Sequence, residues 1–302
     1  MDDGPLVSIG VPTYNRASML QRAVESALAQ DYPNIEVVIS DNASVDGTQA
    51  VCEDLCRRDS RVRYIRQPIN RGPTPNHVEV LTQSCGEYFM FLGDDNWLEP
   101  SYVSQCLRTL QAQPDRILVC GRPLLCRGGI LVGEGGTTNV LQESGKDRVL
   151  SYYRQVGYNA AFFGLARREV FSAVPLLNTM GGDWLYMASI VCMGKIETLD
   201  GASINISLGG IGNDPKHMAA AAGFSKFQAN HQHLSIIISA FKNVLWVSPA
   251  YRSYGFLSRF SLACELALVL IDKFVSWTVD GKRRRYRYVK WLALKSRMWV
   301  RS

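Results

Sequence analysis

The chain has 302 residues, 47% of them hydrophobic, and a net charge of +6. This is enough apolar content to bury a substantial core, and it excludes a disordered or fibrous chain. The eight cysteines include no pair at CxxC spacing, which argues against a zinc ribbon or a secreted disulfide scaffold and predicts reduced thiols on a cytosolic protein. The opening Met1-Asp2-Asp3-Gly4 is acidic and runs straight into an apolar strand, so no signal peptide is expected.

In chain order, residues 6–11 form a short β-branched run closed by Pro12, and residues 17–30 carry Leu20, Val24, Ala27 and Leu28 at helical spacing. A second strand is predicted over 35–39, ending in the small polar cluster Ser40-Asp41-Asn42-Ala43-Ser44, with a helix over 48–58 behind it. A third strand at 62–65, a third helix at 74–84 and a fourth strand at 88–92 complete the alternation. Such alternation predicts a mostly parallel sheet flanked by helices on both faces, with right-handed crossovers. Ligands of open sheets sit beyond the carboxyl ends of the strands. Thr13, Asp41, Arg71 and the pair Asp94 and Asp95 are therefore expected at one rim.

Phe91-Leu92-Gly93-Asp94-Asp95-Asn96 delivers two adjacent carboxylates to the end of a buried strand. Mg2+ or Mn2+ carrying a diphosphate takes hard oxygen ligands of this kind, often only one or two carboxylates; the alternative is a polar turn. Further on, Met180-Gly181-Gly182-Asp183-Trp184-Leu185 precedes a helical run over 185–193. Spacing alone leaves Asp183 as either an N-cap, worth about 1 kcal/mol, or a reactive carboxylate. His77, His231 and His233 read as ordinary polar residues, and His217 lies in a glycine-rich stretch that reads as a loop over 209–230.

From 231 onward the pattern is of long helices. The run 256–279 is apolar in bulk, but Arg259, Glu265 and Asp272 interrupt it, which predicts an amphipathic helix over a membrane span. Nine Lys and Arg residues lie between Lys282 and Arg301, with no acidic residue after Asp280; they exceed the whole chain's +6, so the rest is net acidic. Trp291, Leu292, Leu294, Met298 and Trp299 interleave with them. This composition suits an anionic membrane interface better than nucleic acid or a solvated helix face, and predicts a cytoplasmic protein peripherally attached to the cytoplasmic membrane.

Four segments together, Val7-Ser8-Ile9-Gly10-Val11-Pro12-Thr13-Tyr14-Asn15-Arg16, Ser40 through Thr48, Asn70-Arg71-Gly72 and Gly93-Asp94-Asp95, resemble the successive signatures of glycosyltransferase family 2. The resemblance implies a GT-A fold, a nucleotide-sugar donor such as a UDP-sugar, a glycan or lipid-linked acceptor, a divalent cation and inversion at the anomeric carbon. It divides the chain into a catalytic domain over 1–208, with nucleotide-sugar binding in 1–98 and acceptor binding in 99–208, followed by an active-site loop over 209–230 and a helical region over 231–302. On the donor side it places Pro12, Thr13, Tyr14, Arg16, Asp41, Asn42, Arg71, Asn76 and Asp94. Asp41 would accept from the base, and Asn76 is equally explained as a helix cap. Asp95 would ligate the metal, joined by His217 from the later loop. Asp183 would be the catalytic base and Trp184 an acceptor-stacking platform or core residue. The metal motif departs from the commonest family form, with Gly93 at the first Asp position and Asn96 at the last, leaving Asp94 and Asp95 as its carboxylates. Two rival classes share these features: a non-catalytic nucleotide-sugar scaffold, and a nucleotidyltransferase, which would carry a glycine-rich basic loop where Pro12 to Arg16 stands.

Overall fold

The computed structural model describes residues 4–157, 159–209 and 215–298; within its helices the side chains of 215–217 and 278–298 lie outside that description. The predicted alternation is present as β1 (Val7–Thr13), α1 (Ala17–Leu28), β2 (Ile35–Asp41), α2 (Thr48–Arg58), β3 (Val62–Arg66), α3 (Pro73–Gln83) and β4 (Tyr88–Phe91). These strands are parallel in the order β3-β2-β1-β4. Every residue of β1 and β2 is buried, because helices cover both faces, and this is why they read as continuous apolar runs. Pro12 is tolerated because it lies beyond the last β1–β4 pair, Gly10 with Phe91.

The chain then adds β5 (Trp97–Leu98), α4 (Tyr102–Ala112), β6 (Arg116–Arg127), β7 (Ile130–Glu134), α5 (Gly145–Gln155), β8 (Leu165–Arg167), α6 (Arg168–Ser172), α7 (Gly182–Met193) and β9 (Lys195–Ser207). Among the described residues the sheet has nine strands, continuing from β4 through β8, β6, β9 and β5, with β7 hairpinned onto β6. Strand β8 is antiparallel to both β4 and β6, so it joins the β3-β2-β1-β4 part of the sheet to the strands that follow. The result is a mostly parallel α/β sheet of GT-A type.

The sheet separates two cores. On one face Val7, Ile9 and Val11 of β1 meet Leu20 and Val24 of α1 and Leu107 of α4. On the other, Phe89 and Phe91 of β4 meet Tyr152 of α5 and Tyr186 and Ile190 of α7. The C-terminal helices α10 (Gln232–Lys242) and α11 (Phe256–Met298) complete this second core through Ile236, Leu262, Leu266, Leu270 and Phe274. Where glycine content had suggested a loop, α8 (Pro215–Ala221) and α9 (Lys226–Asn230) form, the latter opened by a Ser225–Gln228 capping box. All eight cysteines are free. Among the described residues no helix is long and apolar enough to cross a membrane.

Candidate active site

The carboxyl ends of the four parallel strands meet at one rim, with Thr13 directly beside Asp41 in the β1–β2 register. Three bonds stitch the segments that leave them: Asn15 N donates to Ser44 Oγ (2.8 Å), Val45 N to Asn15 Oδ1 (2.9 Å) and Arg16 N to Thr48 Oγ1 (3.1 Å). Asn15 is held at φ 53°, a left-handed conformation that asparagine tolerates better than most residues. The crossing leaves Tyr14 exposed and Arg16 half-buried at the mouth, while Pro12 and Thr13 are buried beneath them. Asp46 accepts from Thr48 N (2.9 Å) and Ala17 N (3.4 Å), so it ties the first turns of α1 and α2 together, the structural role its Asp-Gly context suggested.

Asp41 has no solvent exposure. Its Oδ1 accepts from Ser44 N (2.8 Å) and its Oδ2 from the Tyr64 hydroxyl (3.0 Å), with Arg66 Nε 3.7 Å away. Tyr64 and Arg66 therefore enclose this carboxylate. Asn42 works on the chain itself: it donates to Asn70 Oδ1 (2.7 Å) and Gly72 O (3.0 Å) and accepts from Arg71 N (2.9 Å). This fixes the Asn70-Arg71-Gly72 segment at the rim. The Arg71 guanidinium is directed to Gln67 and to Glu79, each at 3.2 Å. Asn76 is no helix cap, since Gly72 occupies that position. It is a buried clamp that accepts from Ser40 Oγ (2.6 Å) and donates to Ser40 O (2.9 Å) and Thr13 O (3.2 Å), holding α3 to the ends of β1 and β2.

Asp94 and Asp95 follow β4, as expected. Thr13 Oγ1 donates to Asp94 Oδ2 at 2.7 Å, and Arg16 Nη1 lies 3.9 Å from Asp95 Oδ2. Burial and the neighbouring Asp95 charge push the Asp94 carboxyl up to about 6, against the opposing bonds from Thr13 and the Tyr14 amide. Burial also raises Asp95, opposed by Arg16. Two adjacent hard-oxygen groups that resist ionisation when unliganded fit a divalent cation arriving with a diphosphate. Among the described residues there is no group of three or more His, Cys, Asp or Glu side chains that could hold a metal ion; the side chain of His217 lies outside the described residues. The glycine of the motif has a steric cause. A Cβ at Gly93 would lie 2.8 Å from Asn96 Nδ2, and Asn96 is buried and held in place by Ser207 N donating to its Oδ1 (3.0 Å).

Asp183 stands in the first turn of α7, whose N-cap is Gly181 at φ 70°. The capping alternative is thereby removed. Asn159 Nδ2 donates to Asp183 Oδ2 (2.9 Å), and the buried Tyr152 hydroxyl donates to Asn159 Oδ1 (3.1 Å), which sets the amide so that its NH2 faces the carboxylate. Burial raises the Asp183 carboxyl and the Asn159 bond opposes it. Trp184 is half-buried. Its ring stacks with Phe274 (6.4 Å) and meets the edge of Trp277 (6.0 Å), so α11 covers part of it. The two sides are joined by Phe91 stacking on Phe162 at 4.9 Å, with His77 packed against both rings, and by Thr74 Oγ1 bonded to Asn178 Oδ1 (3.1 Å). Sequence reasoning missed Asn159 and Tyr152, since the Asn159–Asp183 bond spans 24 positions and leaves no local signal.

This is a GT-A sheet with a carboxylate pair at the carboxyl ends of its parallel strands and a further carboxylate, Asp183, in the first turn of α7. The model of Glycosyl transferase family 2 matches residues 8–174, more than half of the chain, which therefore belongs to that family. A similar protein is the GalNAc(5)-diNAcBac-PP-undecaprenol beta-1,3-glucosyltransferase of Campylobacter jejuni subsp. jejuni serotype O:2, 38% identical over 107 residues, 35% of this chain and 33% of that protein. The putative colanic acid biosynthesis glycosyl transferase WcaA of Escherichia coli K12 is 29% identical over 162 residues, 54% of this chain and 58% of its own length. The chain thus spans between a third and three-fifths of these curated relatives. Among solved structures, S. aureus TarS 1-349 in complex with UDP-GlcNAc has a TM-score of 0.63 at 16% identity, over 86% of this chain and 71% of that one. Mannosyltransferase PcManGT from Pyrobaculum calidifontis, in complex with GDP-Man and Mn2+, has a TM-score of 0.52 at 16% identity, over 89% and 86%. At these identities the likeness is one of fold.

Proposed function

We propose that the chain is an inverting glycosyltransferase that moves one sugar from a nucleotide-sugar, a UDP-sugar first among donors, to a hydroxyl of a glycan or lipid-linked acceptor in the synthesis of a bacterial surface polysaccharide or glycolipid. The observation that supports this reading is that Asp94 and Asp95 directly follow β4, whose Phe91 stacks on Phe162, while Asn159, just before Phe162 in the chain, holds Asp183. An inverting transfer needs a donor station on one face of the sugar and a base on the other. Asp183, held by Asn159, takes the proton of the attacking hydroxyl, and burial gives it the raised proton affinity that a base requires. The anomeric carbon passes through an oxocarbenium-like state, as in glycoside hydrolysis. Asp95 and Asp94 would hold Mn2+ or Mg2+, with His217 as a further ligand from α8; the ion would offset charge on the departing diphosphate. Thr13, Tyr14, Arg16 and Arg71 line the path of the nucleotide, and Asp41 meets the base once the Arg66 side chain swings aside.

The C-terminal basic stretch would hold the chain on the cytoplasmic face of a membrane, next to a lipid-linked acceptor such as the undecaprenol-linked one in the name of the Campylobacter relative. The catalytic reading is tested by calorimetric titration of UDP, GDP, dTDP and CDP, with and without Mn2+. One nucleotide should bind tightly only with Mn2+, and Asp95→Ala should abolish that dependence. Asp183→Asn should retain donor binding and lose about a hundred- to ten-thousand-fold in turnover. Absence of binding by every nucleotide, or full turnover by Asp183→Asn, would reject the assignment.

A further inference from the structure

Helix α11 is apolar on two opposite sides. Leu262, Leu266 and Leu270 face the core and are buried. On a 3.6-residue helix, Leu257, Phe260, Leu268, Ile271 and Val275 fall in one row diametrically across from them, and all five are exposed, Leu257 at 81% and Leu268 at 67%. The row runs for about 27 Å at 1.5 Å per residue. At its start the π-helical turn Asn243–Val247 presents Trp246, 64% exposed, and is tied to α11 by Arg259 Nη1 donating to Leu245 O (2.8 Å). Phe260 meets the rings of Phe241 and Phe256, yet all five residues stay exposed, and an exposed apolar row of this length needs a cover.

Charge selects which cover. One flank of the row carries Asp272 and Glu265, the latter 3.7 Å from Lys146 Nζ. In an antiparallel pair of α11 helices each flank meets itself, so acid would face acid; in a parallel pair the two basic segments, nine Lys and Arg each between 282 and 301, would be brought together. Both arrangements with a second copy are therefore repulsive. The same helix runs unbroken into that basic segment, and an anionic lipid surface offers both an apolar layer for the row and negative headgroups for the continuation.

We propose that the outer face of α11, from Leu257 to Val275, lies in the interface of an anionic lipid bilayer, with Trp246 as an anchor at headgroup level. This deepens the membrane reading above and rests on it. Phe274 of the same helix touches Trp184, the neighbour of Asp183, so lipid contact along α11 would place the base on the order of 10–20 Å from the bilayer surface, one to two helix diameters. A sugar joined to a membrane lipid through a diphosphate is within that reach.

The test is co-flotation of the full chain with phosphatidylcholine vesicles that contain or lack phosphatidylglycerol. The wild type should float with the anionic vesicles, and the Leu268→Glu, Ile271→Glu double variant should lose at least about tenfold in partition. The Leu268→Ser, Ile271→Ser variant should also lose partition, without added charge, and unchanged nucleotide binding by both would show that they are folded. Full partition by both variants would overturn the proposal, as would a loss of dimer in size-exclusion chromatography with partition unchanged, which would give the row to a second copy. If replacing Arg283, Arg284 and Arg285 with Gln abolishes flotation while the row variants still float, the row is rejected and the basic segment stands alone. A wild type that ignores vesicles rejects both. None of these readings depends on sugar transfer.

Discussion

Asp94 is where binding and stability oppose each other. Its carboxyl is pushed from an ordinary 3.8 up to about 6 by burial and by Asp95, so the protonated form favours the fold below about pH 4 and that contribution is lost as pH rises through 6. At pH 8 the ionised group is a net cost that a bound cation and diphosphate would offset. Asp94→Asn keeps an acceptor for Thr13 and removes the charge. It is therefore expected to raise the stability of the ligand-free protein by about 1–2 kcal/mol at pH 8 while weakening donor binding. Thermal melts from pH 4 to 8 would check this: the gap should open between pH 4 and 6 and stay flat above, and a gap that closes with rising pH would contradict the assignment. The positions of Thr13, Asp94 and Asp95 at strand ends were legible because the apolar pattern of those strands is local. The orientation of Asp183 was not, because Asn159 and Tyr152 lie 24 and 31 positions away in the chain, and a hydrogen bond across such a separation has no periodic trace.

Among the elements, the rim is held rigid by α3. Asn76 spans from this helix to both Ser40 and Thr13, so the ends of β1 and β2 cannot separate without breaking buried bonds. Replacing it with alanine would leave the Ser40 and Thr13 partners unsatisfied in the interior. Asn76→Ala is expected to cost about 2–3 kcal/mol, measured by urea denaturation, and to weaken nucleotide binding because Thr13 carries Asp94; a loss under about 0.5 kcal/mol would reduce the clamp to a neighbour. The elements of the first 92 residues were readable to within one or two positions because each is long enough to show its period. The two residues of β5 and three of β8 are too short to show any, and β8 pairs antiparallel to β4, a choice made by the strands already in place. The helices α8 and α9 arose within a glycine-rich composition because capping and docking outweighed it: Asn178 Nδ2 donates to Ala222 O (3.1 Å) and Gln228 Nε2 to Thr179 Oγ1 (3.0 Å).

For the molecule as a whole, α11 closes the second core and covers part of Trp184. Phe274 is buried there, stacked on His233 at 4.2 Å as well as on Trp184. Phe274→Ala is expected to destabilise the protein by about 3–4 kcal/mol and to raise the KM for acceptor with donor affinity kept, because the Trp184 ring it supports belongs to α7 and not to the nucleotide rim. Denaturation and two-substrate kinetics would separate these effects, and a donor-side defect would count against the division. The amino-acid sequence by itself determined the parallel sheet, the rim at its strand ends, the candidate carboxylates and the amphipathic character of the C-terminal helix, because each is written in a local period or a short motif. Only the tertiary structure decided that Asp41 is enclosed by Tyr64 and Arg66, that Asn96 leaves no room beside Gly93, that Trp184 is covered by α11, and which side of α11 stays bare. Each of these depends on side chains distant in the chain competing for the same space or the same hydrogen bond, and that competition is settled only once the elements have packed.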